Sequence, residues 1–374
     1  MPSDRDPVII AARRTPIGTR GRALAGLDVG ALGAAVIRAT LVDAATATGS
    51  PVTVADVLLG NCMGPGGNPG RVAALAAGLA PSVPGGTVDR QCGSGLAAVL
   101  DAVAAIRGGG DRMRVAGGVE SPSTAPVRSV GGVAYDRAPF APAGFPDPDM
   151  TRAAEDLAEH DGIARSRQDA HAARSHARAR AARAAGRFEA ELVPLAGLRN
   201  DDAIGGAEPL LPRLPPLFPG GTVTAGTSTR IGDGAAAVVV APAGTGPGLA
   251  VRASAVVGCD PALPGIGAAP GIHSALQAAG ATVADVEAFE IVEAFAAQSL
   301  AVLDRLGVAD DDPRVCADGG ALALGHPWGA SGAVALVRLF SRLVRTGRPA
   351  GTLGVAAASV GGGLGIAAVV EVVR

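Results

Sequence analysis

Three runs of this chain carry side chains that can do chemistry. Cys92 lies in Asp-Arg-Gln-Cys-Gly-Ser-Gly-Leu (89–96), His326 in Gly-Gly-Ala-Leu-Ala-Leu-Gly-His-Pro-Trp-Gly-Ala-Ser-Gly (319–332), and Ser359 opens Ser-Val-Gly-Gly-Gly-Leu-Gly (359–365). A strand-like stretch running into Cys-Gly-Ser-Gly and then into a helical pattern sets the thiol at a sharp turn beside helix N–H groups. Gly93 and Gly95 permit that turn, and the positive end of the helix favours the thiolate, as a nucleophile needs. The plainer fate for such a residue is a small place in the core. His326 precedes Pro327 on a loop leading into a helix, where an imidazole serves as base and acid or simply as a structural group. A three-glycine turn at 361–363 leaves N–H groups free to hold developing negative charge, whereas an ordinary hairpin favours two-residue chemistry such as Asn-Gly.

The elements that must position these residues alternate. Strand-like runs at 8–11, 56–60, 86–89 and 113–118 are interleaved with helical patterns at 30–47, 71–79 and 96–106; Arg-Arg-Thr-Pro (13–16) reads as a turn. The order recurs after residue 247, with strands at 249–258, 288–292, 353–357 and 365–373 and helices at 271–279, 293–306 and 329–345. Alternation of this kind implies parallel pairing with helices covering the sheets, and the recurrence suggests a duplication. The expected domains are 1–120 with about 221–246, an insertion at 121–220, and 247–374. The insertion shows one convincing helix, 166–185, whose arginines read as a solvated face. Residues 222–226 and 235–240 return to sheet-like sequence.

A chain of 374 residues, 48% apolar and 18% charged, can bury a large core, and with 2% aromatics that core is built from Ala, Val and Leu. There is no lysine, which excludes Schiff-base chemistry on a lysine side chain. A net charge of −2 gives no polyanion-binding surface, so nucleic acid is not an expected partner. Cys62, Cys92, Cys259 and Cys316 show no metal-ligand rhythm, and no metal is expected. The start of the chain is polar and apolar runs look too short to cross a membrane, so the expected setting is cytoplasmic with free thiols.

The three blocks resemble those of the thiolase family, and the similarity extends over nearly the whole chain. The resemblance implies an α/β thiolase fold: two duplicated βαβαβαββ halves forming a layered αβαβα core, with an inserted loop domain that binds coenzyme A. It implies that Cys92 is acylated, that His326 activates it and donates to the thioester oxygen, and that the amides of Cys92 and Gly361 hold the oxyanion. Met150 and Glu155 fall in a block similar to Met-Gly-x-x-Ala-Glu, and 222–233 resembles another pocket block. On that basis Met150, Ala225, Thr229, Ala294 and Phe295 are carried over as contacts to coenzyme A, which enters as a thioester substrate; no permanently bound cofactor is implied. Relatives pair at least as dimers, so a homodimer or dimer of dimers is expected.

The chain departs from that pattern at four places. Ser359 stands where the family has a second catalytic cysteine, which moves the α-proton of acetyl-CoA; a serine hydroxyl is a far weaker acid. Val292 stands where the family's asparagine holds a water that stabilises the enolate. Both changes fall on carbanion formation, while the acylation set is intact. Thr229-Arg230 replaces Ser-Gly, and Trp328 replaces a small aliphatic, reshaping the pocket or, for Trp328, filling core. The expected function is therefore a CoA-dependent acyltransferase working through acyl-Cys92, with an impaired Claisen and thiolysis half-reaction and an unknown small-molecule acceptor: amine, alcohol, or a carbon nucleophile such as a decarboxylating malonyl unit. Ordinary acetyl-CoA acetyltransferase or 3-ketoacyl-CoA thiolase activity, with Ser359 or Cys316 standing in, is the alternative. Acyl-CoA hydrolysis and a non-catalytic partner subunit are the others.

Overall fold

The computed structural model describes residues 6–206 and 208–374; most of the polar start of the chain lies outside the described residues. The first half runs β1 (Val8–Arg14), β2 (Gly18–Thr19), α1 (Val29–Thr48), β3 (Val54–Gly60), α2 (Pro69–Ala76), β4 (Gly85–Val88), α3 (Ser94–Arg107) and β5 (Met113–Glu120). An excursion follows, with the hairpin β6 (Arg128–Val130) and β7 (Val133–Tyr135) and helices α4 (Met150–His160) and α5 (Arg165–Ala184), before β8 (Gly232–Ala241) closes the half. The second half runs β9 (Gly248–Gly258), α6 (Ala268–Ala279), β10 (Val286–Ile291), α7 (Ala296–Leu306), the single turn α8 (Ala321–Leu324), α9 (Trp328–Leu339), β11 (Leu353–Val360) and β12 (Leu364–Val373).

The two halves share one strand order. The first is β4-β3-β5-β8-β1; the second is β10-β11-β12-β9, with Val315 pairing parallel to Phe289 where the corresponding edge strand would lie. In each half the crossover strands pair in parallel and the last strands antiparallel. A two-residue bridge, Val8↔Ala250 and Ile9↔Leu249, joins the halves. Helices α1 and α2 cover the outer face of the first sheet, α6 and α7 that of the second, and α3 and α9 fill the layer between. This is the αβαβα layering that the resemblance implies. Strand β8, Gly-Asp-Gly-Ala-Ala-Ala-Val-Val-Val-Ala, is buried along its length, as a strand covered on both faces must be.

The structure corrects several local expectations. Strand β1 continues through Arg14 because that fully buried guanidinium meets Glu191 at 2.8 Å and Asp201 at 2.6 Å. Residues 222–226 join no sheet: Thr224 makes an isolated bridge to Pro216, and Thr224 and Thr227 accept each other's backbone N–H groups on their hydroxyls. The excursion holds a second helix, α4, capped by Asp149, and a hairpin turning at Gly131 and Gly132 with φ of 58° and 81°. The arginines of α5 are docking groups and not a solvated face. Arg167 pairs with Asp304 and Asp310, Arg174 and Arg178 reach the carbonyls of Asp310 and Val315, and Arg180 and Arg183 hold Gly205 and Ile204. Helix α1, at 20 residues, is long and apolar enough to cross a membrane, contrary to the expectation of short apolar runs; it packs on the first sheet as a core helix.

Glu191 ties the layers together. Its carboxylate accepts from Arg14, from Ser341 at 2.6 Å and from Arg338, which also meets Asp318. Burial opposes its ionisation, but Arg338 and Arg14 outweigh burial and hold the carboxyl below its ordinary range. Removing one member strands buried charge, so Glu191→Ala should cost ~3–5 kcal/mol in denaturant unfolding. A loss under ~1 kcal/mol would contradict the assigned role.

Candidate active site

Cys92 stands two residues before α3. Gln91 takes a positive φ of 46°, turning the chain out of β4. A side chain on Gly93 would put its Cβ 2.9 Å from Val360 and 3.0 Å from Ile366, so the Cys92 turn is seated against the β11–β12 junction. That seating brings the backbone N–H of Gly361 to the thiol, beside the N–H of Cys92 itself. Burial nevertheless dominates and pushes the thiol up to about 12, with the charge of Glu120 adding to it and the two N–H groups pulling the other way. The direction is opposite to the lowered thiol pKa expected from the sequence: at this half-buried residue, desolvating a thiolate outweighs the helix dipole.

His326 stands two residues before α9 and is 2% exposed. Its backbone N–H donates to the Arg230 carbonyl at 2.8 Å, and Nδ1 lies 2.6 Å from Ser331 Oγ on the first turns of α9. Nε2 is buried with no partner among the described residues. Burial lowers the imidazole to about 4, so the ring is neutral near pH 7. An unpaired buried ring nitrogen is costly unless a substrate group or a proton in transit uses it.

The duplication sets these two residues at matching places in the two halves. Cys92 and His326 precede equivalent helices of the two halves, and those helices touch at their first turns. A Cβ on Gly95 would fall 2.7 Å from the Gly329 carbonyl, and one on Gly118 2.1 Å from it. Glu120, at the end of β5, locks the junction: its carboxylate accepts from Gly329 N at 2.9 Å, Cys62 N at 3.0 Å, Met63 N at 2.9 Å and Asn61 Nδ2 at 3.0 Å. The Cys62 thiol in turn donates to the Gln91 carbonyl at 3.1 Å. A carboxylate at the start of α9 also suits the helix dipole.

Ser359 Oγ donates to the Gly265 carbonyl at 2.6 Å and accepts from Ala268 N at 3.0 Å, tying β11 to the start of α6. Val292 belongs to the middle-layer core, at the rim of a cavity of about 30 Å³ that Ala321, Leu324, Ser331 and Val334 also line. Cys316 belongs to the outer cluster with Phe289, Ile291 and Val315, and its thiol faces the Ile291 carbonyl at 3.4 Å. It therefore lies on the far face of the second sheet from α3 and α9.

The residues carried over as coenzyme A contacts group unevenly. Thr229 N donates to Ala294 O at 3.0 Å, its hydroxyl to Ala321 O at 2.6 Å, and Ser228 pairs with Phe295. Ala225 is exposed on the same turn. Met150 opens α4, which packs on α7, and Glu155 of α4 accepts from the N–H groups of Thr222 and Val223 at 2.7 and 2.8 Å. Trp328 is half-buried at the first position of α9.

Three contributors escape a reading of the sequence. Ser331 was visible only as part of the Gly-Ala-Ser-Gly run. Glu120 carries no local signal beyond an acid ending a strand. Phe140 sits in the irregular excursion, yet its ring lies on Gly361.

Residues 7–244 match the family model of the thiolase N-terminal domain and residues 246–372 that of the thiolase C-terminal domain. The chain is 39% identical to an acetyl-CoA acetyltransferase of Pseudomonas aeruginosa, covering 97% of this chain and 98% of that protein. It is 37% identical to the peroxisomal 3-ketoacyl-CoA thiolase A of Rattus norvegicus, covering 99% and 89%. The crystal structure of the Bacillus anthracis acetyl-CoA acetyltransferase superposes with a TM-score of 0.88 at 34% identity, covering 99% of both chains. With both family domains present in order and the layered fold shared, the chain belongs to the thiolase family.

Proposed function

We propose that this thiolase-family acyltransferase forms a thioester on Cys92 from acyl-CoA and is weakened in the carbanion step that relatives use to make or break a carbon–carbon bond. The observation that carries this reading is a contrast within one site. The acylation set is complete: a thiol against two N–H groups, and a neutral imidazole with a free Nε2. The carbanion set is not, since the Ser359 hydroxyl is spent on Gly265 and Ala268 and the Val292 side chain has no hydrogen-bonding group.

In the acylation step Cys92 sulfur attacks the thioester carbon while His326 Nε2 takes the thiol proton. The oxyanion is held by the N–H groups of Cys92 and Gly361. Collapse breaks the bond to the coenzyme A sulfur, which receives the proton from His326, and acyl-Cys92 remains. Transfer to an amine, an alcohol or a decarboxylating carbon nucleophile needs no second thiol. An ordinary Claisen reaction would need a stand-in base, and of Ser359 and Cys316 the far-face position of Cys316 favours Ser359. The pocket for coenzyme A is assigned to Met150, Ala225, Thr229, Ala294 and Phe295. A cytoplasmic homodimer or dimer of dimers is proposed with it, β4, just ahead of Cys92, being the last strand of its sheet among the described residues and so placed to pair with a second copy.

Intact-protein mass spectrometry after incubation with a series of acyl-CoA thioesters should show one acyl adduct, abolished by Cys92→Ala; no adduct with any of them would favour a non-catalytic role. Because the thiol titrates near about 12, alkylation of Cys92 by iodoacetamide should rise with pH through pH 9 without a plateau. A plateau already reached at pH 7 would reveal a preformed thiolate–imidazolium pair and contradict the neutral resting state. Ser359→Cys combined with Val292→Asn should raise acetoacetyl-CoA thiolysis at least about tenfold, and rapid thiolysis by the unaltered protein would refute the weakened step.

A further inference from the structure

We propose that Phe140 sets the size of acyl group that reaches Cys92, with Arg137 and Asp147 as the positioning pair that holds its ring in place. The proposal rests on the acyl-Cys92 reading above. A Cβ at Gly361 would lie 2.6 Å from Phe140 Cε2 and 2.8 Å from Cδ2, and one at Gly362 would lie 3.1 Å from the Phe140 carbonyl oxygen and 3.2 Å from its Cβ. The ring is thus in van der Waals contact with the backbone turn whose N–H faces the Cys92 thiol.

The other side of the ring is held as deliberately. The Arg137 guanidinium lies 4.5 Å from the ring centroid. Arg137 Nη1 meets Asp147 Oδ1 at 2.7 Å and its Nη2 donates to the Asp147 carbonyl at 3.1 Å, while Phe140 N donates to Asp147 Oδ2 at 3.2 Å. Asp147 therefore closes residues 137–147 into a loop that presents one aromatic side chain to the turn. The ring is not core filling: unlike Phe188, Phe289 and Phe340, Phe140 belongs to none of the buried apolar clusters. Its position on a glycine that tolerates no side chain makes Phe140 the bulk at that spot in place of a Cβ.

An acyl group on Cys92 points its carbonyl oxygen at the Gly361 N–H, so its carbon chain extends beside the turn that the ring covers. A rigid wall there discriminates by chain length, and each methylene in such a pocket is worth about 10- to 200-fold. A positioning pair outside the site explains why a loop of irregular structure carries three mutual hydrogen bonds.

The test measures rates of Cys92 acylation by acetyl-CoA and by hexanoyl-CoA, by intact mass, in the full-length protein. In Phe140→Ala the hexanoyl-to-acetyl ratio should rise at least about tenfold. Arg137→Ala should move the ratio the same way by less, and Phe140→Trp should lower it. Melting curves identify any variant that has lost its fold, and the tryptophan and arginine variants decide the matter if the alanine variant does so. Ratios within about twofold of the parent in all folded variants, with both adducts forming, would overturn the proposal. Absence of any adduct in the parent protein would instead sink the acyl-Cys92 reading, and this proposal with it.

Discussion

Everything at the site depends on two helix ends being allowed to touch. Helices α3 and α9 meet at Gly95 and Gly329 so closely that a single methyl group would collide with backbone, and the Glu120 carboxylate fastens the contact by accepting the Gly329 N–H. Because Cys92 and His326 each stand two residues before one of these helices, the packing of the middle layer also sets where both residues lie. A core poor in aromatic side chains and rich in Ala, Val and Gly makes such close layering possible.

The same enclosure sets the electrostatics. Burial raises the half-buried Cys92 thiol to about 12 and lowers the buried His326 imidazole to about 4, so both groups rest neutral. On the proposed acyl-Cys92 reading, the proton moves only when a thioester is in place and the N–H groups of Cys92 and Gly361 have an oxyanion to hold, which concentrates stabilisation in the transition state. On the proposed reading, enclosure also penalises either stand-in for the second base. Cys316 is raised by burial in the outer cluster, and Ser359 is already committed to two backbone partners.

Much of this was legible in the chain. Period-two and helical patterns located β8, β9, α1 and α9, and the repeated order exposed the duplication, because burial on both faces leaves a strong apolar signal. Cys92, His326 and the turn at 361–363 announced themselves through glycines, which serve close packing at Gly93 and Gly95 and positive φ at Gly325, Gly362 and Gly363. What stayed hidden was long-range. The path of Arg14 into the core is set by Glu191 and Asp201, nearly two hundred residues away in sequence. The pKa of Cys92 depends on how deeply the helix end is enclosed, which local sequence does not encode. Helix α4 and Phe140 lie where prolines and glycines obscure periodicity, and Phe140 gains its place from Arg137, Asp147 and Gly361 acting together.

The central claim is that acyl transfer to Cys92 is intact while carbanion formation is weakened, and isotope exchange separates the two in one sample. Acetyl-CoA incubated with the protein in deuterium oxide, with labelled free coenzyme A added, reports acylation as exchange of the coenzyme and carbanion formation as deuterium entering the acetyl methyl group. The account predicts coenzyme exchange at least about a hundredfold faster than deuterium entry, a gap of ~2.7 kcal/mol in barrier. Deuterium entering the methyl group as fast as the coenzyme exchanges would contradict it.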